Sequence, residues 1–567
     1  MKLCGAAILI ECLIEQGTEV IFGFPGGAVL PIYDELYKRS DRIEHVLTAH
    51  EQHAGHAADG YARVTGKTGV CLATSGPGAT NLVTAIATAY MDSTPTVFIT
   101  GNVPQSLMGT DSFQEADISG ITMPITKHNY MVTDVGQLAA TIREAFFIAR
   151  TGRPGPVLVD IPKDVQIAET EYEAASGDAL IPPLSGTHPT VQLRPVGEAL
   201  VRYKEKVGSY IHKAAELIRD AERPLIYYGG GVALSGAEAE LLQLADRVDA
   251  PVVSSLMGLG AISAKNPRML GMLGMHGTHA ANIAMQRCDL LIAIGVRFSD
   301  RALGNAETFA PNAKVLHIDI DRAEINKNVT TTLHVTGDAK TVLGLLLPEV
   351  EKKDHTLWMH QAQSMAEDYL ANDIFEPRKI LKAMSEMQPD ITVATDVGQH
   401  QMWTAQHFPF IYPRQLVTSG GLGTMGFGLG AAMGAAKALG RPVVLATGDG
   451  SFRMNLTELS TIAHYRFPVI IVLFNNGTLG MVRQWQTLFF GKRYSQTTLD
   501  RGPDFMKLAD AYDIPGWRVS DEAAFREAFG KALANKEPAL IECMLDIDEM
   551  VAPMVAPGSP IDSFCLN

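Results

Sequence analysis

Short apolar runs recur along the chain, each closed by Gly, Pro or Thr before a segment long enough to be a helix. VIFGF begins at Val20, VCLAT at Val70 and TVFIT at Thr96. The rhythm returns with PLIYYGGGV at Pro224, APVVSSL at Ala250, DLLIAIGVRF at Asp289 and AKVLHIDID at Ala313. It returns again with ITVATDVG at Ile391, PVVLATGDG at Pro442 and FPVIIVLFNNG at Phe467. Near-continuous apolar runs suit strands covered on both faces, and their alternation with helix-length segments predicts parallel sheets with crossover helices. The period is lost twice, over Ala174–Pro195 around IPPLSGTHPT and in a polar helical stretch near 349–370. The predicted fold is therefore α/β, with three doubly wound parallel-sheet domains over 1–170, 208–345 and 375–567, joined by linkers over 171–207 and 346–374. The first and third blocks share a rhythm that suggests a duplicated fold.

At the N-terminus, Leu3, Ala6, Ala7, Ile10, Leu13 and Ile14 repeat at helical spacing, and Glu11 and Glu15 interrupt the apolar run. That pattern reads as an amphipathic helix rather than a signal peptide. Nowhere is there a run of about 18 uncharged apolar residues, so no membrane span is expected. Lys plus Arg number 47 against 62 Asp plus Glu, a net charge of −15, and no segment is strongly basic. Nucleic acid is thereby excluded as a partner class. Six cysteines without a CxxC pair, in a chain of 567 residues, fit a reducing, cytoplasmic setting without structural disulfides.

The segment 442–480 carries the most chemistry. A buried strand ends at Gly448-Asp449-Gly450, a helix of about four turns is expected next, and a second buried strand ends at Asn475-Asn476. A right-handed crossover between parallel strands brings their C-terminal ends to one edge, so Asp449 and Asn476 can converge. A carboxylate, an amide oxygen and a main-chain carbonyl from the following turn form a hard-oxygen set suited to Mg²⁺ completed by phosphate oxygens. Ser451 and the helix start beside it would face the phosphate charge. A second cluster is HEQHAGHAADGYAR, starting at His50. His50, His53 and His56 step by three rather than four, which argues against the zinc-protease arrangement.

With GDG, the spacer and the Asn pair, the chain resembles thiamine diphosphate enzymes, and HEQxAxHxADGxAR resembles their acid-bearing motif, with His53 as the unusual residue. FGFPGGAVLPIYDEL, ATSGPGATNLVTAIATAYMDSTP, GTDSFQEAD, GRPGPVLVDIPKDV, LGMLGMHGTHAAN, TSGGLGTMGFGLG and LGMVRQWQ narrow the resemblance to the acetolactate synthase large-subunit family. The resemblance implies decarboxylation of pyruvate and ligation of the resulting carbanion to pyruvate or 2-ketobutyrate, an early step of branched-chain amino-acid synthesis. An FAD-dependent pyruvate oxidase, which shares fold and cofactors, is one alternative, and a non-catalytic homologue, expected to have lost Glu51 or the Asp449 and Asn476 pair, is another.

By the same resemblance, Glu51 is the acid facing the cofactor's aminopyrimidine, with Gly26, Gly27 and Gln114 near the reacting thiazolium. Val397, Gly398, Gln399 and His400 resemble the diphosphate-binding turn, joined by Gly450, Ser451 and Met481, and Met425 is similar to the wedge that bends the cofactor. Asp449, Asn476 and the carbonyl of Thr478 match the Mg²⁺ ligands. Phe113, Lys163, Met275, Arg301 and Trp485 resemble the substrate pocket, with Trp485 favouring 2-ketobutyrate and Arg301 holding the acceptor carboxylate. The middle block resembles an FAD domain whose contacts would be Arg153, Gly229, Gly230, Met275, His276, Arg297, Asp319 and Asp338. GGGVALSG lacks the spacing of the dinucleotide fingerprint. Two departures from the family pattern are Ser299, which replaces a flavin-side carboxylate, and Gly430, which replaces a proline and is expected to loosen a helix start. The resemblance further implies a homodimer or dimer of dimers, with the first block of one chain meeting the third block of its partner, and a small regulatory subunit.

Overall fold

The computed structural model describes residues 1–175, 197–365 and 375–566. IPPLSGTHPT and residues 366–374 of the second linker lie outside the described residues. Three six-stranded sheets are present, and every neighbouring pair of strands within them is parallel. The first holds β1 (Val20–Gly23), β2 (Glu44–Leu47), β3 (Gly69–Ala73), β4 (Thr96–Asn102), β5 (His128–Met131) and β6 (Pro156–Pro162), ordered β2-β1-β3-β4-β6-β5. The middle sheet holds β7 (Pro224–Tyr228), β8 (Val252–Ser254), β9 (Met269–Met272), β10 (Leu290–Ile294), β11 (Lys314–Asp319) and β12 (Leu333–Thr336), ordered β9-β8-β7-β10-β11-β12. The third holds β13 (Thr392–Thr395), β14 (Leu416–Val417), β15 (Val443–Gly448), β16 (Val469–Asn475), β17 (Gly516–Val519) and β18 (Ala539–Met544), ordered β14-β13-β15-β16-β18-β17. Counted from their own first strands, the first and third sheets both run 2-1-3-4-6-5, so the shared rhythm in the sequence reflects one strand order used twice. The middle sheet runs 3-2-1-4-5-6, the order of dinucleotide-binding folds.

Near the N-terminus, α1 (Gly5–Glu15) is buried over most of its surface, and its two acids face Arg39 and Arg42 from Glu11 and Arg143 from Glu15. Leu3 lies outside this helix, in a short strand Lys2–Cys4 paired antiparallel with Glu169–Glu171, because the first residues close onto the end of the first block. None of the helices among the described residues is long and apolar enough to cross a membrane. Among the described residues, the polar stretch near 349–370 contributes an α-helix over Thr356–Gln363.

The contact that joins the first and third sheets is a helix pair, α2 (Glu51–Thr65) against α3 (Gly428–Leu439). Ala54, Ala57 and Ala58 of α2 and Ala431, Ala432, Ala435 and Ala436 of α3 share one core with Phe22, Cys71 and Phe98 of the first sheet and Val443, Leu445 and Ile471 of the third. Only small residues permit this approach. A Cβ at Gly434 would lie 1.9 Å from the carbonyl oxygen of Ala57, and one at Gly430 would lie 2.9 Å from that of His53. Gly430, one of the departures from the family pattern, therefore sits against His53, the unusual residue of the acid-bearing motif. The helix start is not loosened by Gly430: α3 is regular from Gly428, and its first turn is held by Asp396 Oδ1, which accepts from Gly426 N and Gly428 N at 2.9 and 3.0 Å.

The helix expected after Asp449 is broken into three pieces, Asp449–Phe452, Leu456–Glu458 and α4 (Leu459–Tyr465). Asn455 leaves helical geometry at φ −134°, ψ 17°. Asn and Thr in RMNLTE compete with helical hydrogen bonding and make the break inexpensive.

A side chain at position 434 collides with main chain that cannot move away, whereas Gly208 lies in a helix with open space around its Cβ. Gly434→Val is expected to lower the apparent thermal midpoint by at least about 5 °C. Gly208→Ala should leave it unchanged or raise it slightly. Differential scanning fluorimetry on both variants checks the pair, and a Gly434→Val protein as stable as its parent would contradict the packing.

Candidate active site

Apart from Arg153, which precedes β6, every predicted site residue of the first block follows the C-terminal end of a strand in the first sheet. Gly26 and Gly27 follow β1, Glu51 follows β2, Phe113 and Gln114 lie in the loop after β4, and Lys163 follows β6. This is the edge at which parallel sheets bind ligands, and the β1/β3 junction, where chain order reverses, is its crevice. Gly26 sits in that crevice, where its Cβ would lie 2.5 Å from Thr74 of the turn after β3. Glu51 opens α2 and is 9% exposed; its Oε2 accepts a hydrogen bond from Asn81 Nδ2 at 2.9 Å. Gln114 has a φ of +60°, a strained conformation of the kind that collects at functional sites. Phe113 beside it is 88% exposed.

The third sheet repeats this plan. Val397, Gly398, Gln399 and His400 follow β13, Met425 follows β14, and Asp449, Gly450 and Ser451 follow β15. Asn476, Thr478, Met481 and Trp485 follow β16, the last two on α5 (Gly480–Phe489). At the β13/β15 junction the His400 ring fills the space that side chains would otherwise occupy: a Cβ on Gly398 or on Gly448 would come within 2.8 Å of it. Register pairs Gly448 with Phe474, which brings the tips after β15 and β16 together. The Asp449 carboxylate lies beside the backbone N–H groups of Asn476 and Gly450, whose dipoles oppose the effect of its burial. Asn476 Nδ2 donates to Gln399 Oε1 at 3.0 Å, and Gln399 Nε2 donates to the carbonyl of Glu549 at 2.7 Å.

Among the described residues, buried polar atoms without partners in these turns and beside them include Asp449 Oδ2, His400 Nε2, Trp485 Nε1 and His276 Nε2. Burial raises the Asp449 carboxyl to about 6 and lowers His400 and His276 to about 4. A carboxylate oxygen without a donor fits a cation, and a buried imidazole nitrogen without a partner fits an anionic or polar ligand atom. These donor sets fit a Mg²⁺–diphosphate group in the third sheet.

A cavity of about 910 Å³ runs between the three sheets. It takes in Arg153, Gly230, Met275, His276, Arg297, Asp319 and Asp338, seven of the eight flavin-side residues, and leaves out Gly229. Gly229 N is tied to the Ile294 carbonyl at 3.0 Å, at the β7/β10 switch point, so this glycine turn holds the crevice of the middle sheet despite its irregular spacing. Ser299 also lines the cavity and introduces no carboxylate. Toward the third sheet the lining continues through Val397, Gly398, Met425, Met481, Arg301 and Trp485, with the Arg301 guanidinium 5.8 Å from the Trp485 ring centroid. None of Gly26, Gly27, Glu51, Phe113, Gln114 and Lys163 lines it. His400, Asp449 and Asn476 of the third block do not line it either, whereas Asp92 and Arg153 of the first block do.

The three motif histidines serve separate ends. His50 Nδ1 accepts from Gln52 N at 3.1 Å, His53 Nδ1 lies 3.0 Å from Glu458 Oε1, and His56 packs its ring 5.2 Å from that of Phe427. Later in the motif, Arg63 bonds Asp59 and Asp92 and donates to the Thr418 carbonyl at 2.8 Å. Asp92 in turn accepts from Gly420 N and Gly421 N at 3.0 and 2.7 Å, fixing the loop that carries Met425. Asp92, Asp396 and Glu458 escape a sequence reading, because nothing local marks a buried acid as an anchor for backbone 30 residues away, as at Asp396, or hundreds away, as at Asp92 and Glu458.

With this geometry in place, comparison with known proteins becomes informative. Residues 3–121, 211–346 and 396–543 match the N-terminal TPP binding, central, and C-terminal TPP binding domains of thiamine pyrophosphate enzymes. The chain is 47% identical to a probable acetolactate synthase large subunit of Methanocaldococcus jannaschii, over 98% of this chain and 94% of that protein. It is 45% identical to the acetolactate synthase isozyme 2 large subunit of Escherichia coli, over 98% of each. The chain belongs to the acetolactate synthase large-subunit family. Of the cofactors that the family resemblance implies, thiamine diphosphate is the one to which the domain matches speak directly.

The raised Asp449 carboxyl has a consequence for stability. Because the folded chain holds this proton more tightly than the unfolded chain, Asp449 is neutral at low pH, and stability falls as pH rises from the ordinary aspartate range through about 6. Asp449→Asn is therefore expected to stabilise the metal-free protein by about 1–3 kcal/mol at pH 8 and to change little at pH 4. Thermal melts in EDTA across that range check it; a variant less stable than its parent at pH 8 would be the contrary result.

Proposed function

We propose that this chain is the catalytic subunit of an acetolactate synthase, which decarboxylates pyruvate and joins the two-carbon unit to pyruvate or 2-ketobutyrate. The observation that carries the reading is the convergence of the Asp449 and Asn476 strand tips on an unpartnered carboxylate oxygen, in a chain similar over nearly its full length to acetolactate synthases. Thiamine diphosphate, when bound, supplies an acidic thiazolium carbon that attacks the keto group and stores the electron pair released with carbon dioxide.

The roles of the protein's own groups follow from their chemistry. Asp449, Asn476 and the Thr478 carbonyl would hold Mg²⁺, while His400 and the Val397–Gln399 turn, with Gly450, Ser451 and Met481, would hold the diphosphate. Glu51 would keep a proton on the aminopyrimidine nitrogen, making the neighbouring amine a better acid. Gly26, Gly27 and Gln114 would line the reacting face, and Met425 would bend the cofactor by packing beneath it. Arg301 would fix the acceptor carboxylate, with Phe113, Lys163 and Met275 around it. Trp485 would favour 2-ketobutyrate through contact with its extra methyl group, an effect of about 1–3 kcal/mol. FAD would occupy the middle part of the large cavity. We place the protein in the cytoplasm and assign it a small regulatory subunit, in keeping with the large-subunit names of its relatives.

In keeping with the family resemblance, the active form would be a homodimer in which each active site takes its first-block half from one copy and its third-block half from the other, with pairing into tetramers left as a second step. Exposed Leu30, Leu107, Phe113 and Met123 on the first block, and Leu422, Met454 and Val482 on the third, offer apolar surface for that contact.

Glu51→Gln and Asp449→Asn should each nearly abolish acetolactate formation in a colorimetric acetoin assay with thiamine diphosphate, Mg²⁺ and FAD. Refolding the two variants together should restore about a quarter of parental activity, because half the dimers are hybrids and each hybrid keeps one intact site. No recovery would rule out shared sites. Trp485→Leu should lower the 2-ketobutyrate preference by about tenfold or more in a mixed-substrate assay. An unaltered product ratio would remove Trp485 from the acceptor pocket.

A further inference from the structure

Glu458 has no place in the chemistry above, yet it is wholly buried at 0% exposure. Its Oε1 accepts from the backbone N–H of Ala49 and of His50, each at 3.0 Å, and lies 3.0 Å from His53 Nδ1. Its Oε2 accepts from Thr461 Oγ1 at 2.7 Å. A buried carboxylate is tolerated only where donors replace its water shell, and here they do. Two of those donors are the peptide groups directly before Glu51, and a third sits in the first turn of α2. The acid comes from the far side of the molecule: Glu458 ends the single turn Leu456–Glu458, in the segment that begins at Asp449.

We infer that Glu458 is a positioning residue for Glu51. By holding the peptides of residues 49 and 50 it fixes where α2 starts, and with Asn81 it sets the direction of the Glu51 carboxylate. The helix break at Asn455 serves this purpose, since it turns Glu458 toward the first block. The His53 contact belongs to the same anchor, and Gly430 leaves room behind it. The inference rests on the reading of Glu51 as the acid that faces the cofactor. Proton transfer between fixed groups is sensitive to position, and a displacement of about 1 Å can cost about 10²-fold in rate.

The test uses the full-length chain with thiamine diphosphate, Mg²⁺ and FAD. Glu458→Asp withdraws the carboxylate by one methylene. It is expected to lower kcat by about 10²-fold while KM for pyruvate stays within about twofold. Amide hydrogen exchange over residues 44–56 should accelerate by about tenfold or more, with exchange elsewhere unchanged. Adding Glu458→Asp to Glu51→Gln should cause no further loss, because both act through one group. A parental kcat, unaltered exchange, or an additional loss in the double variant would each overturn the inference. If Glu458→Asp does not fold, Glu458→Gln decides: a neutral acceptor binds these amides less tightly, so kcat should fall and local exchange rise by about three- to tenfold, and no change in both would overturn it. Glu51→Gln at parental turnover would instead sink the reading of Glu51, and the exchange data would still report whether Glu458 holds residues 49 and 50.

Discussion

The close approach of α2 and α3 is the constraint on which the remaining geometry depends. Glycine and alanine on both helices let main chain meet main chain, and a Cβ at Gly434 is forbidden by the Ala57 carbonyl. This contact sets how the first and third sheets lie against each other. It also carries both helix starts that matter, Glu51 at the head of α2 and the Met425 loop at the head of α3. Asp92 and Glu458 then lock carboxylates on one side to backbone on the other, Arg63 donates across to the Thr418 carbonyl, and Asp396 holds the start of α3 within the third block. Packing supplies the proximity, and the buried acids supply the register.

Ligand chemistry sits where the strand order reverses. The three sheets use two topologies, and in each the glycine-rich turn is at the switch point: Gly26 at β1/β3, Gly229 and Gly230 at β7/β10, and Gly398 with Gly448 at β13/β15. Crossover helices diverge to opposite faces there and leave a crevice that backbone alone can line. Polar atoms in the third-sheet crevice and along the adjoining cavity are buried without partners. Such atoms destabilise an empty fold, and the energy is recovered when a ligand meets them.

The departures from the family pattern are local adjustments. His53 fills a position beside Gly430 and adds a contact to Glu458, and both changes fall in the helix interface rather than in either half-site. Ser299 faces the large cavity beside Asp300 and Arg301 and leaves its wall one carboxylate short of the family pattern.

The sequence by itself determined the strands, their parallel pairing and the edge on which Glu51, Asp449 and Asn476 lie. Apolar runs and crossover lengths are local signals, and the handedness of the crossover converts them into a common edge. It also marked the repeat of one plan in the first and third blocks. Tertiary structure alone decided the break of the helix after Asp449, the anchoring of residues 49 and 50 by Glu458, and the grip of Asp92 on Gly420 and Gly421. These depend on which surfaces meet across up to four hundred residues of sequence, and that is settled by close packing between whole elements, to which no periodicity in the chain corresponds.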